Sequence, residues 1–457
     1  MFKHSPFLFQ TILFGIARYR FFVLLLGLMG WGANRTLAAS PDYFQQKVRY
    51  QIQVTLDPVH HVLNGRLSMD YTNQSPQTLD RLVMHLHPNA YSSTRTAFAQ
   101  QQLAGGSTRF RFAADSLRGG MDSLEFRVNG QKLRWEFWHA DTPDIATVYL
   151  EQPLLPGATV TLETPFRVRI PGDFSRMGHV GQQYQITQWY PKPAVYDTKG
   201  WHPLPYLDQG EFFSEFGSFE VDITVPAHYR VASSGDLQTP SEQQWLDSLA
   251  KHCAGLDSFP PLRMRGDSLN PPSSSTKTLR YVLDQAHDFA WFCAPDYYVR
   301  QSKIEIDGKE VKTYAFFTGG NKSWKDATLF VDSSVYYYSK WLGPYPYKTC
   351  TAVEGALRAG GGMEYPTITV ISAGGSPLML DLIIAHEVGH NWFYGILASN
   401  ERDHPFLDEG FNSFYETRYL RTRYPGQNLL EAQFEKAPKA LTRILEPWPD
   451  LDNLSLL

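Results

Sequence analysis

Apolar and polar residues alternate along several stretches in the first half of the chain. The clearest stretches are 50–54, 159–162 and 219–225, and turn dipeptides such as Asn129-Gly130 and Pro156-Gly157 separate them. A period of two residues predicts strands that bury one face. We therefore expect a β-rich, β-sandwich-like amino-terminal domain over 48–237.

The pattern changes after residue 237. Residues 238–278 are rich in Ser, Pro and Asp, which predicts a linker or long loop. Strand patterns then follow at 278–282 and 311–316, and a helical pattern runs from 324 to 341. This alternation of strands and helices predicts an α+β domain over 279–457.

Two helices are predicted near the end of this domain. Ser376-Pro377 has the residues of an N-cap and first turn, and the apolar residues that follow predict a buried helix. A second helix is predicted from Pro405 to Tyr424, where Pro425-Gly426 ends it.

The first of these helices contains the polar run His386-Glu387-Val388-Gly389-His390, and Glu409 follows after eighteen residues. Residues four apart share one helix face, so His386 and His390 can bind one ion. Two imidazoles and the Glu409 carboxylate leave a fourth zinc position open, as in catalytic sites. Glu387 lies beside them, where a general base that accepts a proton from water is needed.

An ordinary charged helix is the alternative interpretation of this run. It is disfavoured because burying a carboxylate and two imidazoles without compensation costs free energy. The sequence therefore predicts one Zn²⁺ per chain, held by His386, His390 and Glu409, and a hydrolase that uses Glu387 as its catalytic base.

A glycine-rich segment, 359–362, precedes the helix and is followed by Met363 and Glu364. Without side chains, this backbone could accept a peptide as an added strand. On composition alone a flexible turn between Val353 and Thr369 is the other interpretation.

Together these motifs resemble the gluzincin family of membrane alanyl aminopeptidases, also called aminopeptidase N-like peptidases. Gly361-Gly362-Met363-Glu364-Tyr365 is similar to the Gly-x-Met-Glu-Asn segment of that family, although Tyr365 stands in place of Asn. The resemblance implies a thermolysin-like catalytic domain, peptide substrates, and removal of amino-terminal residues. It also implies that Gly361, Gly362, Met363 and Glu364 bind substrate, with Glu364 holding the free α-amine.

In the amino-terminal half, phrases at 188–192, 200–202 and 211–213 are similar to bacterial members. The family places a catalytic tyrosine farther beyond the third ligand than the 48 residues that follow Glu409 here. The resemblance therefore predicts a carboxy-terminally truncated chain. A weakly active or inactive zinc-containing protein that binds peptides is the alternative.

The first 39 residues have the pattern of a secretory signal peptide: basic residues, an apolar run at 21–31 and small residues at the close. A secreted or periplasmic, cell-envelope location follows, with an uncleaved membrane anchor as the alternative. The formal charge is −4, and the sequence has no concentrated run of basic residues. Both features argue against nucleic-acid binding. The spacing of Cys253, Cys293 and Cys350 is not that of a metal site. The sequence allows one disulfide among them but does not determine which two would pair.

Overall fold

The computed structural model describes residues 43–139, 141–261, 275–357, 361–372 and 375–425. The predicted signal peptide, part of the predicted linker, Gly360 and the predicted truncated tail lie outside these ranges. The description below concerns the described residues alone.

The strands, in chain order, are β1 (Lys47–Asp57), β2 (Val62–Thr72), β3 (Leu79–His85), β4 (Gly120–Asp122), β5 (Arg127–Val128), β6 (Gln131–Lys132), β7 (Trp135–Phe137), β8 (Ile145–Leu154), β9 (Thr159–Arg169), β10 (Gly178–Val180), β11 (Gln183–Ile186), β12 (Lys192–Pro193), β13 (Tyr196–Asp197), β14 (Gly200–Trp201), β15 (Gly217–Pro226), β16 (Arg230–Ser233), β17 (Asp236–Leu237), β18 (Thr276–Ala286), β19 (Trp291–Ala294), β20 (Tyr298–Ile306), β21 (Lys309–Phe317), β22 (Thr349–Glu354), β23 (Gly362–Tyr365) and β24 (Ile368–Ile371). The α-helices are α1 (Ala97–Ala104), α2 (Pro240–Ala254), α3 (Ala327–Leu342), α4 (Pro377–Phe393) and α5 (Phe411–Arg423). Short 3₁₀ turns lie at His87–Tyr91, Asp115–Leu117 and Lys322–Asp326, and a π-helical turn lies at Phe406–Gly410.

A nine-stranded sheet forms most of the amino-terminal half. Its main path is β17-β18-β15-β1-β2-β9-β5-β6, with β4 paired to β9. Every second residue of β1 is buried, so its apolar face meets the core and its polar face meets water. The strands predicted at 50–54, 159–162 and 219–225 lie in β1, β9 and β15, which confirms the period-two interpretation.

Three smaller sheets complete the amino-terminal half. Two have four strands, in the orders β10-β11-β19-β16 and β12-β3-β8-β7, and β13 pairs with β14. Apolar side chains from these sheets and from the nine-stranded sheet form one large buried cluster. The β-rich first half is confirmed.

The expected loop over 238–278 is wrong for its first part, where the chain forms α2. Leu246, Ala250 and Cys253 lie on the buried face of this helix. Their helical spacing was present in the sequence, but the Ser- and Pro-rich segment that follows dominated the composition. In addition, β18 begins at Thr276 and pairs with β15. Residue 279, where the α+β domain was predicted to begin, therefore lies inside a strand of the nine-stranded sheet.

The second half packs helices against a mixed five-stranded sheet. Its order is β20-β21-β22-β24-β23, in which β21, β22 and β24 run parallel and the two edge strands run antiparallel. Helices α3 and α4 pack together and bury apolar residues against this sheet. The molecule is therefore multidomain, with β-rich sheets first and an α+β region after them.

Cys253, Cys293 and Cys350 are buried and unpaired, so no disulfide joins them. Within the described ranges, no helix is both long enough and apolar enough to cross a membrane.

Candidate active site

Helix α4 carries the HExxH run, and its start follows the sequence signals. The Ser376 side chain accepts a hydrogen bond from the amide of Met379, and Pro377 occupies the first turn. Most of the helix is buried between α3 and the five-stranded sheet. The predicted buried helix is confirmed, and both histidines project from one face.

The three predicted ligands converge at one point. His386 Nε2 and His390 Nε2 are 3.2 Å apart, and Glu409 Oε2 lies 3.4 Å and 3.9 Å from them. These ligand atoms form one of the groups that could hold a metal ion. Two imidazole nitrogens and one carboxylate are the donors that a catalytic zinc ion uses.

The charges around the two histidines favour a cation. Burial lowers the pKa of His386, but hydrogen bonds with Glu409 and Glu416 outweigh it and raise the value to about 11. Burial also lowers the pKa of His390, while the charge of Glu364 and a hydrogen bond with Asp408 raise it to about 10. The carboxylates that raise these two pKa values would also stabilise a divalent ion bound by the histidines.

Each histidine is oriented by a carboxylate on its other ring nitrogen. His386 Nδ1 lies 2.8 Å from Glu416 Oε2, and His390 Nδ1 lies 2.5 Å from Asp408 Oδ1. Such contacts leave the Nε2 atoms free to bind metal. Neither carboxylate is among the site residues predicted from the sequence. Asp408 and Glu416 flank the third ligand, which is the signal that could have found them.

A second possible ligand group combines Glu364, His390 and Asp408. It shares His390 with the first group, and its Asp408 already pairs with the Nδ1 atom of that histidine. The two groups therefore belong to one ion site, and Glu364 and Asp408 lie around it.

Helix α5 is held against α4 at the level of His386. The Asn412 amide donates to the carbonyl oxygen of His386 at 2.8 Å. A Cβ atom on Gly389 would lie 2.2 Å from Asn412 Oδ1, so only glycine permits this approach. The π-helical turn between α4 and α5 carries Asp408 and Glu409 into the site.

Glu387, which is the predicted catalytic base, lines the same cavity as His386 and His390. Its side chain is 6% exposed, and Oε2 is buried without a hydrogen-bond partner among the described residues. Burial raises the pKa of Glu387 to about 7, against the opposing charges of His386 and His390. A group with a pKa near neutrality can accept and return a proton.

Strand β23, which begins at Gly362, lies at one edge of the five-stranded sheet, and it lines the same cavity as the histidines. Strand β23 pairs with β24 on one side and is the last strand of the described sheet. Gly362, Met363 and Glu364 line the cavity, while Gly361 immediately precedes the strand. A Cβ atom on Gly362 would lie 2.4 Å from Glu387 Oε1. The missing side chain therefore makes room for the Glu387 carboxylate.

Glu364 is 6% exposed and belongs to the same cavity. Burial raises its pKa well above the usual range, and Glu211, Asp408 and Glu387 add to this effect while His390 opposes it. Tyr365, which replaces the Asn of the resembling motif, is buried and lies at the end of β23.

The opposite wall of the cavity comes from the β-rich half. The cavity has a volume of about 390 Å³. Arg176 and Glu211 lie on this wall and form an ion pair of 2.7 Å. Neither was predicted as a site residue: they lie 210 and 175 residues before His386, and the resemblance of the phrase at 211–213 carried no site role.

Gln188, Tyr415 and Tyr419 contact other parts of the protein and not the cavity. Gln188 donates to Asp288 and lies outside the cavity lining. Tyr415 packs against Phe393, and the hydroxyl of Tyr419 donates to Asp381. Neither tyrosine lines the cavity.

Comparison with known proteins adds to this geometry. Neither the protein-family models nor the curated proteins give a match. Solved structures do: an M1 zinc metallopeptidase from Deinococcus radiodurans matches with a TM-score of 0.52 and 16% identity, covering 86% of this chain and 74% of that one. A Glu-to-Ala variant bound to a Tyr-Ser-Ala substrate, from the same organism, matches with a TM-score of 0.53 and 17% identity, covering 86% and 74%.

A two-domain M1 zinc metallopeptidase variant bound to L-tryptophan matches with a TM-score of 0.53 and 16% identity, covering 86% of this chain and 75% of that one. At this level of identity the similarity shows the fold. The chain therefore has a fold like that of two-domain M1 zinc metallopeptidases, and it contains a His-His-Glu group suited to a metal ion.

Proposed function

We propose that the chain is a zinc-dependent aminopeptidase that hydrolyses the first peptide bond of peptides with a free amine. The observation that carries this proposal is the convergence of His386, His390 and Glu409 beside the buried Glu387, whose Oε2 has no hydrogen-bond partner among the described residues. The fold likeness to M1 zinc metallopeptidases supports it, since solved members bind a tripeptide substrate and amino acids.

In this proposal His386, His390 and Glu409 hold the zinc ion. When bound, zinc would polarise the scissile carbonyl and lower the pKa of water to about 7. Glu387 accepts a proton from the water as its oxygen forms the new C–O bond, and then donates that proton to the leaving amine as the peptide C–N bond breaks. Glu416 and Asp408 keep the two imidazoles oriented.

The edge strand β23 would position the substrate. Its outer edge can accept an extended peptide through backbone hydrogen bonds. Glu364, at the end of this edge, would pair with the substrate ammonium and so place the first peptide bond next to Glu387.

The base assignment predicts that Glu387→Gln keeps zinc but loses hydrolysis, because an amide cannot accept the proton while the ligands are unchanged. Zinc content by elemental analysis and turnover of a peptide substrate should be measured together. His390→Ala is the control, and it should lose zinc. Equal turnover by parent and Glu387→Gln would contradict the assignment. Zinc and peptide binding without turnover in the parent would favour the peptide-binding alternative.

The amine assignment predicts a strong preference for free-amine peptides over their N-acetylated forms. A charged hydrogen bond contributes about 1.5 to 3 kcal/mol, so acetylation should lower kcat/KM by about tenfold or more. Glu364→Ala should show a much smaller preference. If the parent cleaves both forms equally, the protein is an endopeptidase and Glu364 has another role.

We also propose that residues 1–39 direct the protein to the cell envelope or the exterior. The support is the basic, apolar and small-residue order of this segment. Fusing the segment to a reporter that is active only after export, and sequencing the mature amino terminus, tests this proposal. A cytosolic, uncleaved fusion would contradict it.

A further inference from the structure

The cavity wall opposite the zinc site includes a loop, residues 205–211, that is fixed from two sides. Arg402, which follows α4, donates from Nε to the carbonyl oxygen of Glu211 at 2.9 Å. The side chain of Gln101 in α1 pairs with the backbone of Gln209 through bonds of 2.8 Å and 2.9 Å. A loop held in this way can present a side chain in a defined position.

Asp208 is the side chain at the centre of this loop, and it lines the cavity. Ser175 Oγ donates to Asp208 Oδ1 at 2.6 Å. Behind Ser175, the hydroxyl of Tyr206 donates to Ser175 Oγ at 3.4 Å and receives a bond of 2.7 Å from Tyr91. Ser175, Tyr206 and Tyr91 are all nearly inaccessible to water. The buried hydroxyl chain thus orients one carboxylate oxygen and leaves the other to meet a ligand.

Both arginines that line the cavity pair with carboxylates other than Asp208. Arg109 pairs with Asp173 at 3.0 Å, and Arg176 pairs with Glu211 at 2.7 Å. Within the described ranges no ion pair engages Asp208, whose oriented oxygen receives only a neutral hydroxyl. The two arginines are therefore already neutralised, and one negative charge on the wall remains available.

We propose that Asp208 recognises the side chain of the first substrate residue and favours lysine or arginine there. This inference rests on the proposed function, in which Glu364 holds the amine of that residue in the same cavity. One carbon joins the amine to the side chain, so a long side chain can extend from Glu364 toward the facing wall. Apart from Phe174 and Met363, the residues lining the cavity are polar, charged or glycine, which suits a cation better than a large apolar group.

Lysine and norleucine substrates test this directly, because they share the carbon chain and differ at its charged end. With the zinc-loaded protein, kcat/KM for lysyl-p-nitroanilide should exceed that for norleucyl-p-nitroanilide by about tenfold or more, as expected for one charged hydrogen bond. In Asp208→Asn the ratio should fall by at least fivefold. The control is Asp115→Asn, which removes an exposed carboxylate that pairs with Arg118 outside the cavity. This variant should keep the parent ratio.

Calorimetric binding of free L-lysine and L-norleucine provides a second readout that does not depend on turnover. If the parent fails to hydrolyse either substrate, the proposed function fails, and tighter lysine binding that Asp208→Asn abolishes would still support this inference. A parent that binds and cleaves norleucine as well as lysine overturns it. So does an Asp208→Asn variant that retains the parent ratio, or a parent that neither cleaves nor binds either compound.

Discussion

At the residue scale, the position of Glu387 depends on Gly362, because this glycine has no side chain to occupy the space of the carboxylate. Glu387 lies on α4 and Gly362 on β23, and a Cβ atom at Gly362 would lie within 2.4 Å of the Glu387 carboxylate. A contact this short cannot be kept, so one of the two groups must move. The glycine of the motif therefore has a steric role in addition to any contact with substrate.

Gly362→Ala should accordingly lower kcat by at least about tenfold, since a small displacement of a catalytic group is costly. Zinc content should be unchanged, because the ligands are not touched. Gly361→Ala is the matched control: among the described residues its Cβ atom would approach only Ile383 Cδ1, at 4.0 Å, and the loss should be smaller. Steady-state kinetics on both variants checks this, and equal losses would contradict the steric role.

At the scale of elements, α5 is anchored to α4 by one buried carboxylate. Asp381 is inaccessible to water and accepts hydrogen bonds from Tyr419 at 2.6 Å, Arg423 at 2.6 Å and Tyr424 at 2.5 Å. All three donors lie at the carboxyl end of α5. Because Glu416 lies on the same helix, this anchor also determines where the partner of His386 is placed.

Asp381→Ala should lower the free energy of unfolding by about 3 kcal/mol or more, because it leaves a charge and two hydroxyls without their buried partner. Zinc affinity should fall as well. Urea unfolding and competition with a chelator measure the two effects. Arg421→Ala, at an exposed position of the same helix, should alter neither. Normal zinc affinity in a destabilised Asp381→Ala protein would show that α5 keeps its position without this anchor.

At the scale of the whole molecule, the cavity is built from both halves of the chain, and Arg402 links them. It donates to the carbonyl oxygens of Glu211 at 2.9 Å and Pro205 at 3.2 Å. These bonds tie the loop of the β-rich half to the segment between α4 and the third metal ligand. The wall that faces the metal site thus depends on contacts between residues almost two hundred positions apart.

Arg402→Met retains most of the side-chain length but removes both hydrogen bonds. We expect KM to rise severalfold and zinc content to stay the same, because the ligands lie on α4 and the following turn. Substrate titration with metal analysis is the measurement. An unchanged KM would mean that the loop is held without Arg402, and a loss of zinc would mean that the link supports the metal site itself.

The local sequence determined most of the elements and the candidate metal ligands. Alternating residues gave the strands of the β-rich half, because one face of each strand meets the core. The four-residue spacing of His386 and His390 placed them on one helix face, since a helix turn has a fixed period. Glu409 was found from its place in the motif, and α2 was missed because a loop-like composition next to it obscured a short amphipathic pattern.

Only the tertiary structure decided what surrounds these ligands. Glu416 and Asp408 were identified as partners of the histidines once α5 was packed on α4, and Asp208, Arg176 and Glu211 came into the cavity through folding of the β-rich half. Their positions depend on long-range contacts between segments that carry no matching local pattern. Sequence periodicity reports the environment of one element, whereas a cavity wall is a property of several elements packed together.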